Sequence, residues 1–200
     1  MRRAEIDDQN RYLLGLQHQF RLAADIVTTA WMAFREVQAV AVIGSVAKPL
    51  WKEVPRFSDY RRERIEVWHE CKDLDLALWI DSQRRLGTLR KAGVLALRKA
   101  HEAGAGTSIA NHQLDIFLFE PGSDQHLGRL CSFNTCPKGK ADCLVPGCGV
   151  IPFNRHVDGF VPRPDLLAPA GEAMLYRRGI GRLRSALDLP GVGQDVGPST

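Results

Sequence analysis

Along residues 10–37 the apolar side chains Leu13, Leu16, Phe20, Ala23, Val27, Trp31 and Phe34 recur at steps of three and four. Within five residues that pattern gives way to the continuous apolar run Ala39-Val40-Ala41-Val42-Ile43. The first spacing lays one apolar stripe along a long helix; the second is a short buried strand, stopped by Gly44-Ser45. Asp7 and Asp8 lie just upstream of the helix, where carboxylates accept from free amides and complement the positive helix end. A chain that opens in this way is α/β in class.

The alternation continues. Residues 49–70 are polar, with two prolines and the run Arg61-Arg62-Glu63-Arg64, and are expected to form a surface excursion with a helical turn. A second strand is expected over 73–80, a helix over 83–103 closed by Gly104 and Gly106, and a third strand over 113–119 stopped by Pro121. Residues 128–160 are too rich in Gly, Pro and Cys for a long helix. Residues 165–188 are expected to form a last helix with Leu175, Ile180, Leu183 and Leu187 on its core side. The tail, 190–200, holds glycines and prolines and is expected to be disordered. The organisation expected is a domain over 1–125, a Cys-rich extension over 126–164, a helix over 165–189 and the tail.

Two hundred residues with 44% hydrophobic and 25% charged content suffice for a real core, which excludes disordered, collagen-like and mucin-like chains. No apolar run exceeds five residues, against the roughly 18 of a membrane span. The charged start, Met1-Arg2-Arg3-Ala4-Glu5, has no apolar stretch behind it, so a cytoplasmic protein without membrane contact is expected. A formal net charge of +4 permits a phosphate-rich partner without requiring one. Arg84, Lys91 and Arg98 recur every seven residues along one helix face; a solvated face is the simpler reading of that stripe.

Strand side chains alternate, so Asp73 and Asp75 project to one side of the second strand and Leu74, Leu76 and Leu78 to the other. Two ionised carboxylates side by side repel and call for a cation, and an oxygen-only pair suits Mg²⁺ or Mn²⁺ rather than zinc. Asp115 lies between Leu114 and Ile116, where a buried charge needs a partner or a cation. Gly44-Ser45 ends a strand, where bare amides and a hydroxyl can hold phosphate oxygens. Taken singly, Asp-x-Asp is a common tripeptide and Gly-Ser an ordinary turn.

In combination, Val42-Ile43-Gly44-Ser45, Lys72-Asp73-Leu74-Asp75-Leu76-Ala77-Leu78 and Gln113-Leu114-Asp115-Ile116-Phe117 resemble the polymerase β-type nucleotidyltransferase superfamily over residues 10–120. The resemblance implies that Asp73 and Asp75 bind the metal gripping the nucleotide phosphates and that Asp115 completes a second metal site activating the acceptor hydroxyl. It implies that Gly44 and Ser45 cradle the triphosphate. Ser45 and Asp73 are separated by 27 residues, more than the family usually has. The Arg that often follows Gly-Ser is missing, with Lys48 and Lys52 as substitutes.

Four of the five cysteines, Cys131, Cys136, Cys143 and Cys148, fall within eighteen residues. In a reducing compartment such a cluster points to a structural Cys₄ zinc site, with buried free thiols as the alternative. His156 is a substitute ligand, and Lys138 and Lys140 stand on the cluster's loops where phosphates could be met. Cys71 stands alone and reads as a small buried hydrophobe. The expectation is therefore a small mixed sheet flanked by helices, nucleotidyltransferase-like, with a zinc-binding extension. Its expected activity is metal-dependent transfer of a nucleoside monophosphate from a nucleoside triphosphate such as ATP to a hydroxyl of RNA, protein or a small molecule. The alternative is a non-catalytic protein of the same fold that binds nucleic acid or a protein partner through its zinc module.

Overall fold

The computed structural model describes residues 3–123, 125–130, 167–168 and 171–192. Its elements are α1 (Arg3–Trp31), β1 (Val37–Ile43), β2 (Lys52–Glu53), α2 (Ser58–Glu63), β3 (Val67–Trp68), β4 (Leu74–Ile80), α3 (Leu86–Glu102), β5 (Leu114–Phe119), β6 (His126–Leu130), β7 (Met174–Arg177) and β8 (Gly181–Arg182). Six strands form one sheet in the order β6-β5-β4-β1-β7-β8; β4 and β5 are parallel and the other pairs antiparallel. β2 and β3 form a separate two-stranded ladder within the excursion. The class is mixed α/β, and among the described residues no helix is long and apolar enough to cross a membrane.

The period-two alternation of the central strands sorts their side chains onto two faces. On one face Val40, Val42, Leu76, Leu78, Ile116 and Leu118 pack beneath α1 and α3, meeting Phe20, Val27 and Trp31 of α1 and Leu89 and Leu97 of α3. The two helices approach closely at Gly93, where an added Cβ would lie 3.3 Å from the Trp31 indole nitrogen. That nitrogen donates to the Leu89 carbonyl at 3.0 Å, so the largest buried side chain has its one polar atom satisfied. The opposite face carries Ala39, Ala41, Ile43, Ala77, Trp79, Phe117 and Phe119.

α1 begins at Arg3, so Asp7 and Asp8 lie within the helix rather than upstream of it. It stops at Trp31, short of the expected end at 37, because Val37 is already drawn into the β1–β4 ladder opposite Ile80. The larger correction lies near the C-terminus. Residues 174–182 form the β7–β8 hairpin on the outer edge of β1 rather than part of a helix over 165–188. Gly179 (φ +85°) and Gly181 (φ +101°) adopt left-handed conformations that no helix continues through. Leu175 is fully buried, whereas Ile180 is 68% exposed and Leu183 and Leu187 are also exposed. A helix–strand switch was hidden here by an accidental helical spacing.

The sheet also runs past the boundary expected at residue 125, since β6 completes the β5 edge and β7 the β1 edge. Asp25 of α1 secures the returning chain, accepting from the Ala186 amide at 2.9 Å and from the Ser185 hydroxyl, and pairing with Arg182. Residues 190–192, expected within a disordered tail, are placed: the Leu50 amide donates to the Gly191 carbonyl, and Leu50 bridges Val192. The rest of the tail lies outside the described residues.

Candidate functional site

β1 ends at Ile43, and the chain turns at once into a short 3₁₀ segment, Gly44–Ala47. Gly44 has φ +68°, and an added Cβ would lie 2.5 Å from Asp75 Oδ2. Glycine is required there twice over, by the left-handed backbone and by the carboxylate pressed against it. The register explains the contact: Ile43 pairs with Asp75 across β1 and β4, and Asp75 pairs with Asp115 across β4 and β5. Directly opposed residues share a face, so the two carboxylates stand side by side on strands about 4.8 Å apart. Asp75 is half-buried and Asp115 buried.

Asp115 has found its partner in protein. Arg129 of β6 forms a salt bridge with Asp115 Oδ2, both side chains being almost wholly buried, and its guanidinium lies 5.6 Å from the Phe117 ring centroid. Asp73 lies one residue before β4 and is half-buried. Among the described residues no three of His, Cys, Asp and Glu gather closely enough to hold a metal ion. The structure thus brings Gly44, Asp75 and Asp115 together and leaves Asp73 at the strand's beginning.

The turn after β1 is held from behind by α1. Arg21, 4% exposed, donates to the carbonyls of Val46 (3.1 Å), Lys48 (3.2 Å), Leu189 (2.6 Å) and Pro190 (2.7 Å). Gln17 adds a bond to the Lys48 carbonyl at 3.0 Å. Lys48, expected to meet phosphate, therefore contributes its main chain to this anchor, with its side chain half-buried. Burial lowers the Arg21 pKa from its ordinary value, opposed by the neighbouring Cys71.

Cys71 is fully buried, as its reading as a small hydrophobe requires, yet it is not remote from the site. Burial, the largest influence, pushes its pKa up, opposed by the neighbouring Ser45 and Arg21. Sequence reasoning missed Arg21 and Arg129 altogether. The signal for Arg21 was a lone arginine beside Phe20 on the apolar side of an amphipathic helix. For Arg129 it was a cation on the strand after Asp115.

The four clustered cysteines, His156, Lys138 and Lys140 lie outside the described residues. Arg84, Lys91 and Arg98 are exposed, in keeping with a solvated helix face. On the same sheet face as Asp75, but at the far end of β1 and β4, a cavity of about 900 Å³ is lined by Gln38, Trp79, Ser123, Met174 and Arg177. No protein-family model, curated protein or solved structure matches this chain.

Proposed function

We propose that the protein is a nucleotidyltransferase whose nucleotide site is the turn Gly44–Ser45 together with Asp75. The observation that carries this reading is the contact between the left-handed Gly44 and the Asp75 carboxylate, with Asp115 in register beside it. A strand-ending turn has amides to offer phosphate oxygens, and placing a carboxylate against it puts a cation-binding group where a triphosphate would lie. The donor set is all oxygen and fits Mg²⁺ or Mn²⁺, with Asp75 and Asp73 as the residues that would hold it. When bound, such a cation neutralises the phosphate charge that builds up during transfer.

The remaining work falls to the chain. Ser45 offers a hydroxyl at the turn, and Arg21 fixes the backbone of the turn through the Val46 and Lys48 carbonyls. Such positioning is most of what phosphoryl chemistry asks of a protein. The family pattern implies that Asp115 would face the acceptor hydroxyl. The four cysteines complete the proposal as a structural zinc site, which metal analysis of the purified protein tests.

The Asp115–Arg129 salt bridge favours a second reading, in which the same fold binds nucleotide or a partner without catalysis. Incubation with each α-labelled nucleoside triphosphate, Mg²⁺ and a cell extract separates the two. Label moving to RNA, protein or a small acceptor with wild type but not Asp75→Asn supports transfer. Nucleotide binding with no movement of label supports the second reading.

A further inference from the structure

The sheet face opposite α1 and α3 is hollow at one end. Strand register sets Trp79 of β4, Ala39 of β1 and Arg177 of β7 in one row across it, because Ala39 pairs with Trp79 on one side and with Arg177 on the other. Neighbouring strands lie about 4.8 Å apart, so the two larger residues are anchored about 10 Å from each other with only a methyl group between them. A large, a small and a large side chain in succession make a trough. That trough is the floor of the cavity of about 900 Å³, walled by Leu167, Met174 and the turn at residues 121–123. Small-molecule sites occupy about 300–1,000 Å³, so the space is of ligand size.

Most polar side chains of the lining already have partners. Gln38 Nε2 donates to Asp81 Oδ2 at 2.7 Å and to the Arg35 carbonyl at 3.2 Å. The Ser123 hydroxyl donates to Glu120 Oε2 at 2.8 Å, and the Arg178 guanidinium donates to the carbonyls of Val37 and Phe34. Two donors remain uncommitted, Arg177 and Trp79. The exposed Arg177 guanidinium has no ion pair and no hydrogen bond to any described residue. The Trp79 side chain is only 8% exposed, yet its indole N–H has no acceptor among the described residues. The Trp31 and Trp51 nitrogens, by contrast, are satisfied within the chain. A nearly buried donor left unmet is costly, and an acceptor brought into the cavity relieves it. No described Asp or Glu lines the cavity; Asp81 and Glu120, which Gln38 and Ser123 reach, are not part of the lining.

We propose that this cavity binds a small aromatic carboxylate, its ring over Ala39 beside Met174, its carboxylate on Arg177, and an oxygen at the other end of the ring accepting from the Trp79 N–H. Uncommitted donors at both ends of a trough without acids select a ligand with acceptors at both ends. One guanidinium balances one negative charge, and its planar fork matches the two oxygens of a carboxylate. Indole and thioether both make favourable contacts with an aromatic ring. Trp79 lies about 13 Å along β4 from Asp75, and the inference does not depend on nucleotidyl transfer at Gly44 and Asp75.

The test is isothermal titration calorimetry of the full chain with 6-hydroxy-2-naphthoate, run beside 6-hydroxy-2-naphthamide and 2-naphthoate. The hydroxy acid binds with a Kd of about 1 mM or tighter, ordinary for a ligand of this size. The uncharged amide, of the same shape, binds at least about 10-fold more weakly, because it forgoes the charge-assisted bond. Arg177→Gln, at an exposed position where substitution leaves folding intact, erases the preference for acid over amide. Trp79→Phe keeps a ring beside Phe119 and removes the N–H, so it weakens the hydroxy acid by roughly 2- to 10-fold and leaves 2-naphthoate unchanged. Nuclear Overhauser effects from the ligand ring to the Ala39 and Met174 methyl groups place it on the floor of the cavity. Asp75→Asn leaves all of these results in place, so failure here and failure at the nucleotide site are read separately. No binding of the hydroxy acid at millimolar concentration, equal binding of the amide, or binding indifferent to Arg177→Gln overturns the proposal.

Discussion

Gly44→Ala tests the contact on which the nucleotide site rests. The new methyl meets two penalties. The left-handed backbone at φ +68° costs an L-residue about 1–2 kcal/mol. The Cβ would lie 2.5 Å from Asp75 Oδ2 and 3.3 Å from its Cγ, so the carboxylate must move, at about 1–3 kcal/mol more. For a chain of this length, with roughly 2–4 °C per kcal/mol, the loss of about 2–5 kcal/mol lowers Tm by about 4–20 °C. Asp75→Ala separates the two penalties, because it removes Oδ2 and Cγ and leaves the Asp75 Cβ at 3.4 Å, an ordinary contact. Gly44→Ala in that background costs only the backbone share. A double-mutant cycle in urea should therefore show a coupling of about 1–3 kcal/mol, and the effect of alanine on the unfolded chain cancels within the cycle. Equal costs in the two backgrounds would refute the proposed abutment of the Gly44 turn on Asp75.

Two further outcomes follow from the residues behind the turn. Arg21→Met removes the donor for four carbonyls and should destabilise the chain by about 3–5 kcal/mol, with faster hydrogen exchange at the Leu50 amide than at β5 amides; a loss under about 1 kcal/mol contradicts the anchor. Cys71, whose pKa burial raises above its ordinary value near 9.0, supplies stability that is fully present below that value. The stability is lost as pH rises from there towards the folded pKa, because the unfolded chain ionises its thiol first. Wild type should thus lose stability relative to Cys71→Ala above about pH 9, and parallel curves contradict the burial argument.

The central strands were legible because periodicity reports burial directly. The run 39–43 and the alternation around Asp75 and Asp115 each found their places in β1, β4 and β5, with ends shifted by a residue or two. The C-terminal hairpin was not, since Leu175, Ile180, Leu183 and Leu187 mimic helical steps and the decisive fact is the open edge of β1 awaiting a strand. Gly179 and Gly181 carried the turn signal. At the site, one-dimensional alternation placed the carboxylates on a shared face. It could not show that Asp73 precedes the strand, or that Arg129 reaches Asp115 from a neighbouring strand. Those relations arise from strand pairing, which local sequence does not encode.

The most direct test of the nucleotide site is the melting temperature of the purified chain with each nucleoside triphosphate, with and without Mg²⁺. A ligand of the native state at a hundredfold its Kd adds about 2.7 kcal/mol, a shift of roughly 5–10 °C for a chain of this size. Stabilisation by at least one nucleoside triphosphate, dependent on Mg²⁺ and abolished by Asp75→Asn, is the predicted result. No shift with any triphosphate at millimolar concentration, or a shift that Asp75→Asn leaves intact, contradicts it.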